Sequence, residues 1–163
     1  MVLKYRQTNT QRIYKRLWML RRPKQLGANS DELFDVFIKQ VRSVLELAVP
    51  VWHSSITVKE RCDLERVQKA ALHIILGNDY TSYQDALDCF EIGSLEERRV
   101  QLCSKFAKKA IKHSKFKNWF KVNSLRTSPR QDQPKFCHVR ARLGRYLKSP
   151  LSYLTAILNK TKK

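Results

Sequence analysis

The stretch TVKERCDLERVQKAALHIILG, residues 57–77, shows most directly how this chain folds. Its apolar residues recur three and four positions apart, which is the spacing of one face of an α-helix. Thr57 and Glu60 match the S/T-x-x-E pattern of a capping box at the helix start. Gly77 stands where a left-handed C-cap is favoured. The stretch therefore predicts an amphipathic helix with defined ends.

The same helical spacing continues outward from this stretch in both directions. The predicted helices are one over residues 8–22, one from Asn29 or Ser30 to the break at Pro50, the helix of residues 57–77, a short one after Ser82, a long one opened by a second capping box at Ser94–Glu97, and a short one after Ser149-Pro150. Pro23 and Gly27 are expected to end the first helix.

The fold class predicted from these patterns is all-α: a compact bundle of about five helices with a basic C-terminal extension ending in a short helix. Four glycines and five prolines in 163 residues are too few for a β-sandwich or barrel with many turns. Residues 1–121 are predicted to form the helical domain and residues 122–138, without period, an exposed linker. Residues 139–163 are predicted to be a basic tail containing a short helix.

Charge is distributed unevenly along the chain. The sequence has 33 Lys and Arg against 14 Asp and Glu, a formal net charge of +19. Residues 1–26 contain eight bases and no acid, and residues 98–163 contain nineteen bases and one acid, whereas residues 27–97 are acidic overall. Two basic ends indicate binding to a polyanion, above all nucleic acid. The alternatives are a basic protein that is merely soluble, or docking on an acidic protein.

The helix that begins at Ser94 carries the clearest basic face. On a helical wheel its lysines follow Arg98 on one side, opposite an apolar side on which Arg99 is the exception. A second basic set lies on the first helix. The predicted nucleic-acid-binding residues are Arg98, Lys105, Lys108, Lys109 and Lys112, together with Arg21 and Arg22. Each has the alternative of being an ordinary exposed base.

Aromatic and cysteine residues give weaker signals. Trp18, Trp52 and Trp119 are of the type that stacks on bases, but we expect them to pack in the core. The four cysteines have neither the spacing of a zinc site nor that of a redox pair, so we expect reduced, mostly buried thiols. No metal site and no cofactor are predicted.

No arrangement typical of catalysis is found in the sequence. The candidate carboxylates for a two-metal site are Asp31-Glu32, Asp63/Glu65, Asp85/Asp88 and Glu96-Glu97. They are better explained as charges in the first turns of helices or on solvated helix surface. There is no glycine-rich phosphate loop, so we expect no enzyme activity and no small-molecule substrate. No membrane span or secretory signal is recognised, which predicts a nuclear or cytoplasmic protein.

Five strings occur in an order that resembles a known family. They are RLWMLRRPKQLGANSDEL (16–33), QVRSVLELAVPVWHSSIT (40–57), DLERVQKAALHIILG (63–77), SLEERRVQLCSKFAKKA (94–110) and RYLKSPLSYLTAILNK (145–160). Together they resemble the C-terminal part, thumb and tail, of the reverse transcriptase of jockey-like non-LTR retrotransposons. The resemblance runs from about Arg12 to Asn159. Pro23, in place of an aliphatic residue, departs from the family pattern.

This resemblance implies a place in a larger RNA-directed DNA polymerase. In that family the thumb packs beside the palm and holds the template–primer duplex, an RNA–DNA hybrid or DNA duplex, while the catalytic aspartates lie upstream in the palm. The chain is therefore expected to be a non-catalytic fragment whose partners are nucleic acid and the missing fingers and palm. The alternative is a degenerate retroelement remnant that acts as a protein-interaction or structural helical module. An active polymerase is the third and least expected reading.

Overall fold

The structure, a computed structural model, describes residues 14–123, 136–137 and 142–160. Within these ranges the chain is all-α, as predicted, and its only β-type pairing is one isolated bridge between Val122 and Phe136. Six α-helices of seven residues or more are present in this part of the chain: α1 (Trp18–Gln25), α2 (Ser30–Val36), α3 (Val58–Leu76), α4 (Tyr83–Cys89), α5 (Leu95–Lys112) and α6 (Pro150–Lys160).

The ends of several helices follow the predicted signals. Thr57 and Glu60 form the capping box of α3, with the Glu60 backbone nitrogen 3.2 Å from Thr57 Oγ1. Ser94 and Glu97 form the equivalent pair for α5 through two bonds of 3.2 Å. Both predicted capping boxes are confirmed. Their side-chain bonds satisfy backbone N–H groups that have no partner within the first turn of a helix.

Two helix ends differ from the prediction. Pro23 lies inside α1, which continues to Gln25, and Gly27 follows the helix with φ +88°. Gly77 has the expected positive φ, but its ψ of −117° lies outside the left-handed helical region. Lys24 Nζ instead donates a 2.8 Å hydrogen bond to the Ile75 carbonyl, so a side chain satisfies a carbonyl at the end of α3.

The predicted continuous helix from residue 29 or 30 to Pro50 is interrupted. After α2 the backbone forms a π-helical turn, Phe37–Arg42, and a short α segment, Ser43–Leu45. Ala48 then adopts φ +53°, which ends the helical run before Pro50. A π turn adds a residue to the helical repeat, and the adjacent residues Val41 and Arg42 are both buried here. The expectation of one regular helix was wrong in this respect.

The chain divides into two compact units. The first unit combines residues up to Leu47 with Thr57–Arg98, and the second combines Ala48–Ile56 with residues from Arg99 onward. The division after Arg98 falls within α5. This differs from the predicted segments 1–121, 122–138 and 139–163, which follow chain order. The nine residues Ala48–Ile56 pack with residues that follow Arg98 in the sequence. Contacts between segments that are distant in sequence do not follow chain order.

The core of the first unit is built from the apolar faces of its helices. Its fully buried side chains include Leu17, Leu20, Leu33, Phe37, Val67, Leu72 and Ile75. A polar network fixes the start of α5 beside them. Glu65 accepts hydrogen bonds from the Leu95 backbone nitrogen at 3.2 Å and from the Tyr83 hydroxyl, and buried Gln68 donates to the Tyr83 oxygen at 3.0 Å. Burial and the Glu65 carboxylate raise the pKa of Tyr83 well above 10.

The core of the second unit is formed by side chains of α5 and α6 together with side chains from outside these two helices. Its buried members are Val49, Cys103, Ala107, Ala110, Phe120, Phe136, Leu154 and Leu158. The Asn159 side chain accepts from the Phe136 nitrogen and donates to the Phe136 oxygen, each at 3.1 Å. Residues 124–135 of the predicted linker lie outside the described ranges, but Phe136 is only 4% exposed. This end of the segment is therefore part of a core and is not an exposed linker.

Candidate nucleic-acid interface

The helix α5 has one buried stripe along its length. The stripe consists of Leu95, Arg99, Cys103, Ala107 and Ala110, residues three and four positions apart. Arg99, only 2% exposed, lies on this side as the helical wheel predicts. Because small residues form most of the stripe, neighbouring chain can pack closely against α5. The opposite side of the helix is consequently fixed in direction toward solvent.

Four lysines occupy that solvent side. Lys105, Lys108, Lys109 and Lys112, here called the lysine row, are all exposed. At 100° per residue they fall within an arc of about 100°, and at 1.5 Å rise they cover about 10 Å of helix axis. All four belong to the second unit. The structure thus places these four predicted binding residues on one face.

The charges of the lysine row are not neutralised by the described residues. Of the ion pairs formed within the described ranges, none includes a member of the row. Residues 98–123 contain nine bases and no acid, so the row has no carboxylate partner three or four positions away on its own helix. A row of exposed ammonium groups without carboxylate partners produces a positive local field of the kind that attracts polyanions.

Arg98, the fifth predicted residue of this set, has a different environment. Its Nε lies 3.2 Å from Glu46 Oε1, and Arg42 Nε lies 2.9 Å from the same oxygen. Glu46 and Arg42 side chains are 17% and 10% exposed, whereas that of Arg98 is 36% exposed. The Arg98 charge is therefore shared with an internal carboxylate, and Arg98 adds less than a free lysine to an external positive field.

The thiol of Cys103 lies on the buried stripe behind the lysine row. Burial raises the pKa of Cys103 to about 11, and the charge of Arg99 opposes that rise only in part. We expect iodoacetamide at pH 8 to alkylate exposed Cys62, Cys89 and Cys137 and to leave Cys103 unmodified, as mass spectrometry of the peptides would show.

The burial of Cys103 also determines the direction in which the stability of the fold changes with pH. An unfolded thiol ionises near its ordinary pKa of 9.0, whereas folded Cys103 keeps its proton to about pH 11. Folding free energy contributed by this group is thus present below pH 9 and lost as pH rises toward 11. In the iodoacetamide experiment, modification of Cys103 at the same rate as Cys89 in the folded chain would contradict the burial of Cys103.

The second predicted set lies on α1 in the first unit. Arg21 and Arg22 are exposed, and no described acid forms an ion pair with either of them. Trp18 precedes them by three and four positions and is 60% exposed. An open groove of about 460 Å³ beside this tryptophan includes Arg22 in its lining. The sequence does contain a signal for this surface, because three- and four-residue spacing puts an indole and two guanidinium groups on one helix face.

Several expectations about single residues are corrected by the structure. Trp18 and Trp119 are 60% and 50% exposed, so the prediction that the tryptophans pack in the core was wrong for both; Trp52 is half-buried against the second core. Three of the four cysteines are exposed, so the thiols are not mostly buried, although all four are free. Helical spacing alone does not distinguish an aromatic ring on the core side from one at its edge.

The carboxylates considered for metal binding have local structural roles. Asp31 and Glu32 lie in the first turn of α2, Asp85 in that of α4, and Glu96 and Glu97 in that of α5, as the sequence predicts. Asp63 pairs with Arg66 at 3.0 Å, Glu65 belongs to the Tyr83 network, and Asp88 accepts from Gln84. In the described ranges no three His, Cys, Asp or Glu side chains are grouped so that they could hold a metal ion.

Two findings complete this description. No described helix combines the length and apolar character needed to cross a membrane. Comparisons of the chain with protein-family models, with curated proteins and with solved structures find no match.

Proposed function

We propose that this chain is a non-catalytic, thumb-like fragment of a non-LTR retrotransposon RNA-directed DNA polymerase, and that it binds the template–primer duplex through phosphate contacts without sequence specificity. The observation that carries this proposal is the lysine row. Its four exposed charges lie on one face of α5 and have no described carboxylate partner. The five ordered strings that resemble the reverse-transcriptase thumb and tail support the same function.

The dimensions of the lysine row suit a nucleic-acid backbone. One strand of a B-form duplex carries a phosphate about every 3.4 Å of axis, so about 10 Å of helix corresponds to about three intervals, which join four phosphates. Lysine contacts phosphate as a mobile point charge and does not distinguish bases. The interaction therefore fits a thumb, which must hold every sequence that the polymerase copies.

Binding to an RNA–DNA hybrid tests the proposal. We expect a blunt fluorescein-labelled hybrid to bind at low salt, with a logarithmic salt slope of about −3 to −4, because each lysine–phosphate contact contributes about 0.9. Fluorescence anisotropy at several salt concentrations measures this slope. Hybrids of unrelated sequence serve as the control and should bind equally. Absence of binding at low salt, or affinity that is independent of salt, would refute phosphate-mediated duplex binding.

A second candidate function, a protein-interaction module, is favoured by an apolar surface on the second unit. Leu143, Tyr146 and Leu147, in and beside the short helix Gly144–Leu147, are 73%, 52% and 53% exposed. Exposed apolar clusters of this kind mark association sites. If this function is the correct one, the double change Leu143→Ser and Leu147→Ser should abolish a self-association seen by analytical ultracentrifugation, and changes in the lysine row should leave it intact.

A further inference from the structure

Residues of α1 and of the turn that follows it line an open groove. The groove has a volume of about 460 Å³, within the range of about 300–1,000 Å³ typical of small-ligand sites. Its walls include Trp18, Met19, Arg22, Pro23 and Leu26, and Gly27 lies at its end. Trp18 and Leu26 remain 60% and 83% exposed. A large indole thus stands against an apolar surface with much of its area in contact with water.

Bases predominate in the part of the chain that forms most of this groove. Arg22 is part of the lining, Arg21 is its exposed neighbour, and Lys15 and Arg16, which precede α1, are also exposed. No acid occurs in residues 1–26, and no described acid forms an ion pair with any of these four bases. A complementary occupant therefore carries negative charge next to a flat apolar surface.

We propose that this groove binds an unpaired nucleotide of a single-stranded nucleic acid, with its base on the Trp18 indole and its phosphate on Arg22 and Arg21. This inference rests on the proposed function and extends it, because it adds a single-strand site to the duplex-binding lysine row. A nucleotide presents a π-face and a negative charge within one residue, which matches the two chemistries that the groove offers. Stacking tolerates every base, so the site needs no sequence preference.

Photochemical crosslinking to the full chain identifies the contact. The probe is oligothymidylate with a single 5-iododeoxyuridine, irradiated at low salt and mapped by mass spectrometry of the peptides. We expect an adduct on Trp18. An adduct that forms only elsewhere, for instance on Trp119 with its 50% exposure, would overturn the assignment of this groove.

Affinity measurements supply the second readout. Trp18→Ala is expected to weaken oligothymidylate binding about tenfold, because stacking on an aromatic side chain is worth about one such factor per base. Trp18→Phe should stay within about threefold of the unmodified chain, since it keeps a stacking ring. Val58→Ala removes apolar surface from a residue of the same unit that is 74% exposed, and should have no effect.

The two proposals fail in different ways. If the blunt hybrid binds with the expected salt slope but Trp18→Ala leaves oligothymidylate affinity within twofold, the groove proposal is overturned alone, and a protein becomes the better occupant. If neither the hybrid nor oligothymidylate binds, the proposed function fails as well. Circular dichroism verifies that the Trp18→Ala variant folds. If this variant does not fold, the position of the crosslink on the unmodified chain decides whether the groove binds the nucleotide.

Discussion

Replacing Glu46 with alanine should lower the free energy of unfolding by about 3 kcal/mol. Glu46 Oε1 accepts from Arg42 Nε at 2.9 Å and from Arg98 Nε at 3.2 Å, and the Arg42 side chain is only 10% exposed. Loss of the carboxylate leaves the Arg42 guanidinium largely buried without this partner. Removing one member of a buried pair costs far more than the pair itself contributes, since the remaining charge cannot regain its hydration.

A matched ion pair on the surface provides the control. Asp35 and Lys39 are also four residues apart and meet at 2.6 Å, but their side chains are 66% and 68% exposed. Asp35→Ala should cost less than about 1 kcal/mol, because water replaces the lost partner. Urea denaturation followed by circular dichroism measures both values. Equal effects of Glu46→Ala and Asp35→Ala would show that the Glu46 cluster is solvated and contradict its burial.

Neutralising three members of the lysine row should cause the largest loss of duplex binding. In the triple change Lys105→Gln, Lys109→Gln and Lys112→Gln, the logarithmic salt slope is expected to become about 3 units shallower. Since the electrostatic part of binding disappears near 1 M salt, this change corresponds to a loss of a few hundredfold in affinity at 0.1 M. Glutamine keeps the helix propensity of lysine, so α5 should remain folded.

Three lysines that do not belong to the row give a control with the same change of net charge. Lys59, Lys148 and Lys160 are exposed, and none lies on α5. Their joint replacement by glutamine should alter the slope by less than about one unit, because contacts to phosphate depend on distance and not on total charge. Anisotropy titrations of the hybrid at four salt concentrations compare the two variants. Equal losses would mean that the overall charge of the chain, and not this face, holds the duplex.

Features that depend on neighbours within a few residues were predictable from the sequence. The capping boxes at Thr57 and Ser94, the helical stretches and the inward position of Arg99 all follow from three- and four-residue spacing, which the helix geometry fixes. The solvent side of the lysine row follows for the same reason. These predictions require no knowledge of which segments meet in space.

Features that depend on distant neighbours were decided only by the tertiary structure. Glu46 lies 52 residues before Arg98, and no periodicity reveals that their side chains meet. The placement of Ala48–Ile56 in the second unit and the burial of Phe136 are of the same kind. Trp18 is exposed although Leu17 and Leu20, its near neighbours in sequence, are fully buried. A helical pattern states which residues share a face, but only packing determines which face is covered and by what.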